Sequence, residues 1–240
     1  MAQVQQSAVP FGRPSTQRTG PATVAGLCYL AVIAGGLFAE VMVRGALIVP
    51  GDAAATARAI LENETLWRLG LAVHLLYLVP ALTVNVIVSG FFRSIEPTLA
   101  RLALVFGVAG VTVEAVALVY LYVPLVFSEH GTTLAALEDA PSLIYLATRL
   151  FATGFGFSLL LFAGFCVLIG ALILRSRLVP RAIGAMMILA GICYVVNTVA
   201  LIVSPGFWKL INPTILLPIL LAELSLALWL LVKGITVEGR

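Results

Sequence analysis

Six long runs of Leu, Val, Ala, Ile and Phe divide the chain, at residues 22–44, 66–92, 99–127, 142–174, 181–204 and 211–233. A helix needs about 20 predominantly apolar residues to cross the hydrocarbon core of a bilayer, and each run has that length. Strands of a membrane barrel would be about 10 residues long and alternate in polarity; these runs do neither. The pattern predicts an all-α polytopic membrane protein, a bundle of six transmembrane helices within one unit at 21–235. The fourth run exceeds what a bilayer requires, so it tilts or projects. After the first run, Pro50-Gly51 turns the chain and Asp52 can cap a helix from Ala53 to Leu61. After the third, Ser128-Glu129-His130-Gly131 breaks the helix, and Thr132 to Leu137 has room for another short one before Pro141. These two segments read either as short outer interfacial helices forming a partial lid or as plain connections.

Polar side chains interrupt the runs at similar depths. Glu40, His74, Glu114, Arg149, Asn197 and Glu223 each lie among aliphatic residues. A charge at the centre of a spanning helix costs at least about 2.5–3.5 kcal/mol, so such groups face a partner or a cavity. A rise of 1.5 Å per residue converts offset into depth. Glu223 falls near the midplane and Glu114 slightly outside it, while His74, Arg149 and Asn197 lie about 10–12 Å inside the outer boundary. Glu40 shares that outer half, and in the inner half only Asn85 compares. Lipid cannot satisfy these groups, so a packed bundle turns them inward. The expectation is an outward-facing polar pocket with Arg149 compensating two or more carboxylates. Trp67, His74 and Tyr77 share one stripe of the second span, Tyr145 lies one turn before Arg149, and Tyr194 lies almost one turn before Asn197. The expected pocket therefore comprises Glu40, Trp67, His74, Glu114, Tyr145, Arg149, Tyr194, Asn197 and Glu223. Plainer readings stand beside it. Glu40 and Arg44 have the spacing of a simple i,i+4 ion pair, His74 suits a hydrogen-bonded core position, and Asn197 suits interhelical bonding.

Composition agrees with a membrane chain: 61% of the 240 residues are hydrophobic and 10% charged, against roughly 25% charged in soluble domains. A net charge of +3 without a basic cluster gives no footing for nucleic acid. The basic residues set an orientation. With both termini inside, Arg13, Arg18, Arg93, Arg101, Arg175, Arg177, Arg181, Lys233 and Arg240 are cytoplasmic, nine against the five outside (Arg44, Arg58, Arg68, Arg149 and Lys209). Residues 1–20 and 236–240 read as cytoplasmic tails, the first disordered, and the first apolar run as a retained anchor rather than a cleaved signal. Cys28, Cys166 and Cys193 are odd in number, lack CxxC spacing and lie within apolar runs, which suits packing rather than disulfides or metal.

Catalytic signatures are missing. There is no phosphate-binding loop, no HExxH pair and no nucleophile elbow. His74 with Glu40 and Glu114 is the best metal set available, and one histidine makes it poor. No metal or cofactor is expected. Repetition is faint: Ala109-Gly110 precedes Glu114 as Ala190-Gly191 precedes Asn197. An inverted repeat would put matching polar groups on opposite sides of the midplane, so the one-sided pattern weakens an alternating-access transporter.

Phe38-Ala39-Glu40 with Val43-Arg44, followed by Leu47 to Ala57, resembles the signature of the bacterial membrane family named domain of unknown function 4386. Arg68-Leu69-Gly70, Leu178 to Gly184, and Ala222-Glu223-Leu224 leading to Leu228–Gly234 extend the likeness over about residues 20–235. The resemblance implies a six-span protein of the bacterial inner membrane and carries no activity. It also implies a fourth-span histidine near Phe151 or Ala152, which this chain lacks. The functional expectation is a non-enzymatic pocket for a lipid or small amphiphile, with the bilayer as partner and oligomerisation open. Arg149 would meet an anionic group, while Glu114 and Glu223 would hold the pocket's protons. Two alternatives remain: an intramembrane enzyme using Glu114 or Glu223 as acid or base, and a structural partner whose polar groups only specify helix pairing.

Overall fold

The computed structural model describes residues 20–129 and 139–235. The tails and the short helix expected at 132–137 fall outside those residues, apart from Gly20, which opens the first helix. Among the described residues the fold is helical, without strands. α1 (Gly20–Leu37) runs into a π-helical segment (Phe38–Arg44) and a closing turn, α2 (Gly45–Leu47), so that Gly20–Leu47 forms one rod. α3 (Ala53–Glu62) is the short helix after the first span; α4 (Glu64–Phe91), α5 (Pro97–Glu129), α6 (Ala140–Ser176) and α7 (Arg181–Val203) are long spans. α8 (Pro205–Ile211) and α9 (Leu216–Val232) complete the chain. Among the described residues five helices are long and apolar enough to cross a membrane, and α8 and α9, bent by 55° at their break, pass the same test when taken together.

The long helix in the sixth apolar run, 211–233, starts only at Leu216, and α8 before it occupies residues that, Ile211 apart, the runs left as a connection. The break falls at Asn212–Ile215, because a residue before proline disfavours helical backbone and Pro213 has no amide hydrogen to donate. Pro218 is the third residue of α9, where a missing N–H is tolerated. Pro80 and Pro124 sit inside continuous helices.

Local sequence explains the other boundaries. Gly51 adopts φ +84°, a conformation glycine takes without steric cost. Asp52 caps α3, its carboxylate accepting from the Ala55 N–H at 2.8 Å. The Thr56 hydroxyl ties α3 back to the end of the first rod by accepting from Val49 N at 3.0 Å and facing the Asp52 carbonyl at 2.8 Å. At the opposite end, α6 stops at Arg177 (φ 59°) and Pro180 precedes α7.

The spans pack as a closed ring: α1 against α4, α4 against α5, α5 against α6, α6 against α7, α7 against α9, and α9 against α1. Glycines set the closest approaches. A Cβ added to Gly26 of α1 would lie 2.8 Å from Leu231 N of α9, and one on Gly170 of α6 would lie 2.6 Å from the Gly184 carbonyl of α7. Two apolar cores result. One joins Tyr29, Phe165, Ile169, Met187 and Leu226 towards the end bearing residues 92–96 and 177–180. The other joins Val43, Ile60, Trp67, Leu121 and Ile144 at the α3 end. Outward-facing Leu76, Val105, Val119 and Val203 stay exposed, as lipid-facing positions of a bundle do.

Candidate functional site: a polar cavity inside the ring

The π segment carries both Glu40 and Arg44. Such wide turns are rare in helices and recur at functional sites. Arg44 is 6% exposed, and its guanidinium divides between two partners. Nε donates to Glu40 Oε2 at 2.9 Å, and Nη1 meets His74 Nδ1 at 3.0 Å. Arginine can only donate, so Nδ1 accepts and the imidazole proton resides on Nε2. That N–H donates to Glu114 Oε1 at 2.8 Å. The Tyr77 hydroxyl donates to the same carboxylate oxygen. The result is a chain Glu40–Arg44–His74–Glu114 that joins the π segment, α4 and α5 through a neutral, fully buried histidine.

Aromatic rings fix its geometry. Tyr77 stacks on the imidazole with centroids 4.6 Å apart, and Phe151 and Phe155 of α6 meet it edge-on at 5.6 and 6.0 Å. The Arg44 guanidinium lies 4.7 Å from the Phe151 ring centroid, a cation–π distance. His74 thus has both nitrogens bonded and three aromatic rings packed against it, which makes it a link between Arg44 and Glu114 rather than a ligand.

Next to this chain is a cavity of about 280 Å³, lined by residues from all six spans where the two apolar cores meet. Its walls are mostly aliphatic and aromatic, with polar groups at two levels. Glu40, Arg44, Tyr77 and Glu114 form one level; Tyr29, Asn85, Tyr194 and Glu223 form the other. Eleven residues separate Tyr29 from Glu40, about 16 Å along a helix. Glu223 is 8% exposed and accepts from the Tyr194 hydroxyl at 2.8 Å. The Tyr29 hydroxyl and Asn85 Nδ2 are buried without a hydrogen-bond partner. Buried polar groups left unpaired are uncommon in native proteins, and these two belong to residues lining the same cavity. Leu37 and Val41, also in the lining, are 46% and 56% exposed, so the cavity reaches the lipid-facing surface beside the π segment.

Of the nine residues expected to form one pocket, Glu40, Glu114, Tyr194 and Glu223 line the cavity, and His74 stands directly behind it. Arg149 does not: it is exposed. The inward stripe of α6 is Phe151, Phe155, Ser158 and Phe162, and residue 149 lies two positions before it, on the far side of the helix. Arg44 holds the place expected for Arg149. Trp67 is buried and donates to the Leu121 carbonyl at 2.9 Å, fastening α4 to α5. Tyr145 accepts from the Gly51 N–H at 2.8 Å and pins the turn before α3. Asn197 accepts from Trp208 Nε1 at 3.1 Å and from Asn212 Nδ2 at 3.3 Å, holding the bent sixth span. Sequence reasoning missed Tyr29, which looks like any packing aromatic, marked Asn85 only as the polar residue of the inner half, and read Arg44 only as the partner of Glu40.

Among the described residues, no three His, Cys, Asp or Glu side chains converge to hold a metal ion. Neither the curated proteins nor the solved structures offer a match to the chain. A family profile described as domain of unknown function (DUF4386) matches residues 24–234. With that match covering the rod, the ring and the cavity alike, the chain belongs to the DUF4386 family of multi-pass membrane proteins.

Proposed function

We propose that the cavity binds a lipid or small amphiphile that arrives sideways from the bilayer, past the π segment and the start of α9. The observation that carries this reading is an apolar chamber with polar groups at two depths, whose lining includes the lipid-exposed side chains Leu37 and Val41. Ligand sites typically combine apolar walls with a few placed polar groups, in volumes of about 300–1,000 Å³. At about 280 Å³ the cavity suits a headgroup and the first part of a chain, with the remainder lying in lipid. On the same reading the chain lies in a bacterial cytoplasmic membrane with both termini inside. Arg93, Arg101, Arg175, Arg177, Arg181 and Lys233 cluster at the ends opposite α3, which favours that orientation.

A structural role is the second reading, because the Arg44–His74–Glu114 chain joins three elements and would specify their pairing with no ligand at all. Native mass spectrometry of protein purified in mild detergent separates the two. A Cβ at Gly36 meets no atom within 4 Å, and Gly36 lines the cavity, so Gly36→Leu adds bulk at the chamber where its first added atom has open space. The binding reading expects a retained small molecule on wild type and on Arg149→Met, and its loss from Gly36→Leu. Bare, folded protein in all three would leave the structural reading.

A further inference from the structure

We infer that the headgroup selected by the cavity is a cation, a protonated amine seated beside Glu223; this rests on the binding reading above and names its ligand class. Three carboxylates line the cavity, Glu40, Glu114 and Glu223, against one basic side chain, Arg44. Arg44 is already committed to Glu40 and to His74 Nδ1. Glu114 receives neutral donors, the His74 Nε2–H and the Tyr77 hydroxyl. Glu223 receives the Tyr194 hydroxyl, and no basic side chain forms an ion pair with it among the described residues.

A carboxylate removed from water without a cationic partner is costly, and a cation delivered by the ligand removes that cost. Hydrogen bonding points the same way. An ammonium offers three N–H donors and no acceptor. The carboxylate oxygens of Glu223, which lines the cavity, supply acceptors at one level of it. An anionic headgroup would meet three carboxylates and no free cation.

The test offers wild-type protein in nonionic detergent equal concentrations of three amphiphiles sharing one chain: dodecylammonium, dodecanol and dodecanesulfonate. Bound species are counted by native mass spectrometry at neutral pH. Occupancy by the ammonium should exceed that of the other two by about tenfold or more, since juxtaposed like charges cost several kcal/mol and tenfold is about 1.4 kcal/mol. Glu223→Gln keeps an oxygen for Tyr194 and should bring the three within about threefold of one another. Equal binding, or preference for the sulfonate, overturns the cation assignment and leaves amphiphile binding intact. A preference that survives in Glu223→Gln overturns the seat at Glu223. Failure of folded wild type to take up any of the three overturns the binding reading and this inference with it. The wild-type comparison stands whether or not the variant folds.

Discussion

Arg44 and Arg149 show how differently two arginines behave at comparable depth in one bundle. Arg44 is buried and bonded to Glu40 and His74, whereas Arg149 lies on the outer face of α6, where its long stem lets the charged head reach the interface. Arg44→Met should lower stability by about 1–3 kcal/mol, because it strips the partner from buried His74 and leaves Glu40 without its ion pair. Arg149→Met should stay within about 0.5 kcal/mol. Denaturant titration in detergent reads both, and equal losses would contradict the placement. His74 and Glu114 should couple: a double-mutant cycle with His74→Leu and Glu114→Gln should give about 1–2 kcal/mol. Near-zero coupling would mean that the 2.8 Å contact contributes nothing. Hydropathy alone marked Glu40, His74, Glu114 and Glu223 as residues needing company. It could not tell which arginine supplies it, since aromatic residues such as Phe151 and Phe155 serve a lipid face as readily as an interior one.

At the scale of elements, spans and caps were readable and irregularities were not. Pro50-Gly51-Asp52 announced α3 because a left-handed glycine and a capping carboxylate leave chemical signatures. Asp52→Ala should weaken α3 by about 1 kcal/mol, seen as faster amide exchange across Ala53–Ala57 with the long spans unchanged; uniform acceleration would contradict a local cap. The π segment had no comparable sign, since Phe38–Arg44 has the composition of any membrane helix. The break before α9 carries one sign, Asn212-Pro213, at the very start of the sixth run. Helix contacts give a further contrast. Gly170→Val would drive a side chain against the Gly184 carbonyl and the Ile188 amide and should cost about 1–3 kcal/mol. Gly36→Ala meets open space and should change stability by no more than about 0.5 kcal/mol. A tolerated Gly170→Val would contradict the close crossing of α6 and α7.

At the scale of the whole molecule, the ring leaves its chamber where α1 and α9 part. They touch backbone to backbone at Gly26, and ten residues later Gly36 faces empty space. Periodicity could supply the six apolar runs and the depth of their polar groups. The chamber depends on how neighbouring helices diverge, which a wide π turn at one end and a tight glycine contact at the other determine together. The central claim is that lipid-borne molecules enter there. It is tested most directly by photolabelling the protein in its membrane with an amphiphile bearing a diazirine beside its headgroup, followed by peptide mapping. Labels concentrated on residues 33–41 of the first rod and 216–223 of α9, and displaced by Gly36→Leu, are the predicted result. Labels spread over the outer faces of α5 and α7, unchanged in that variant, would contradict it.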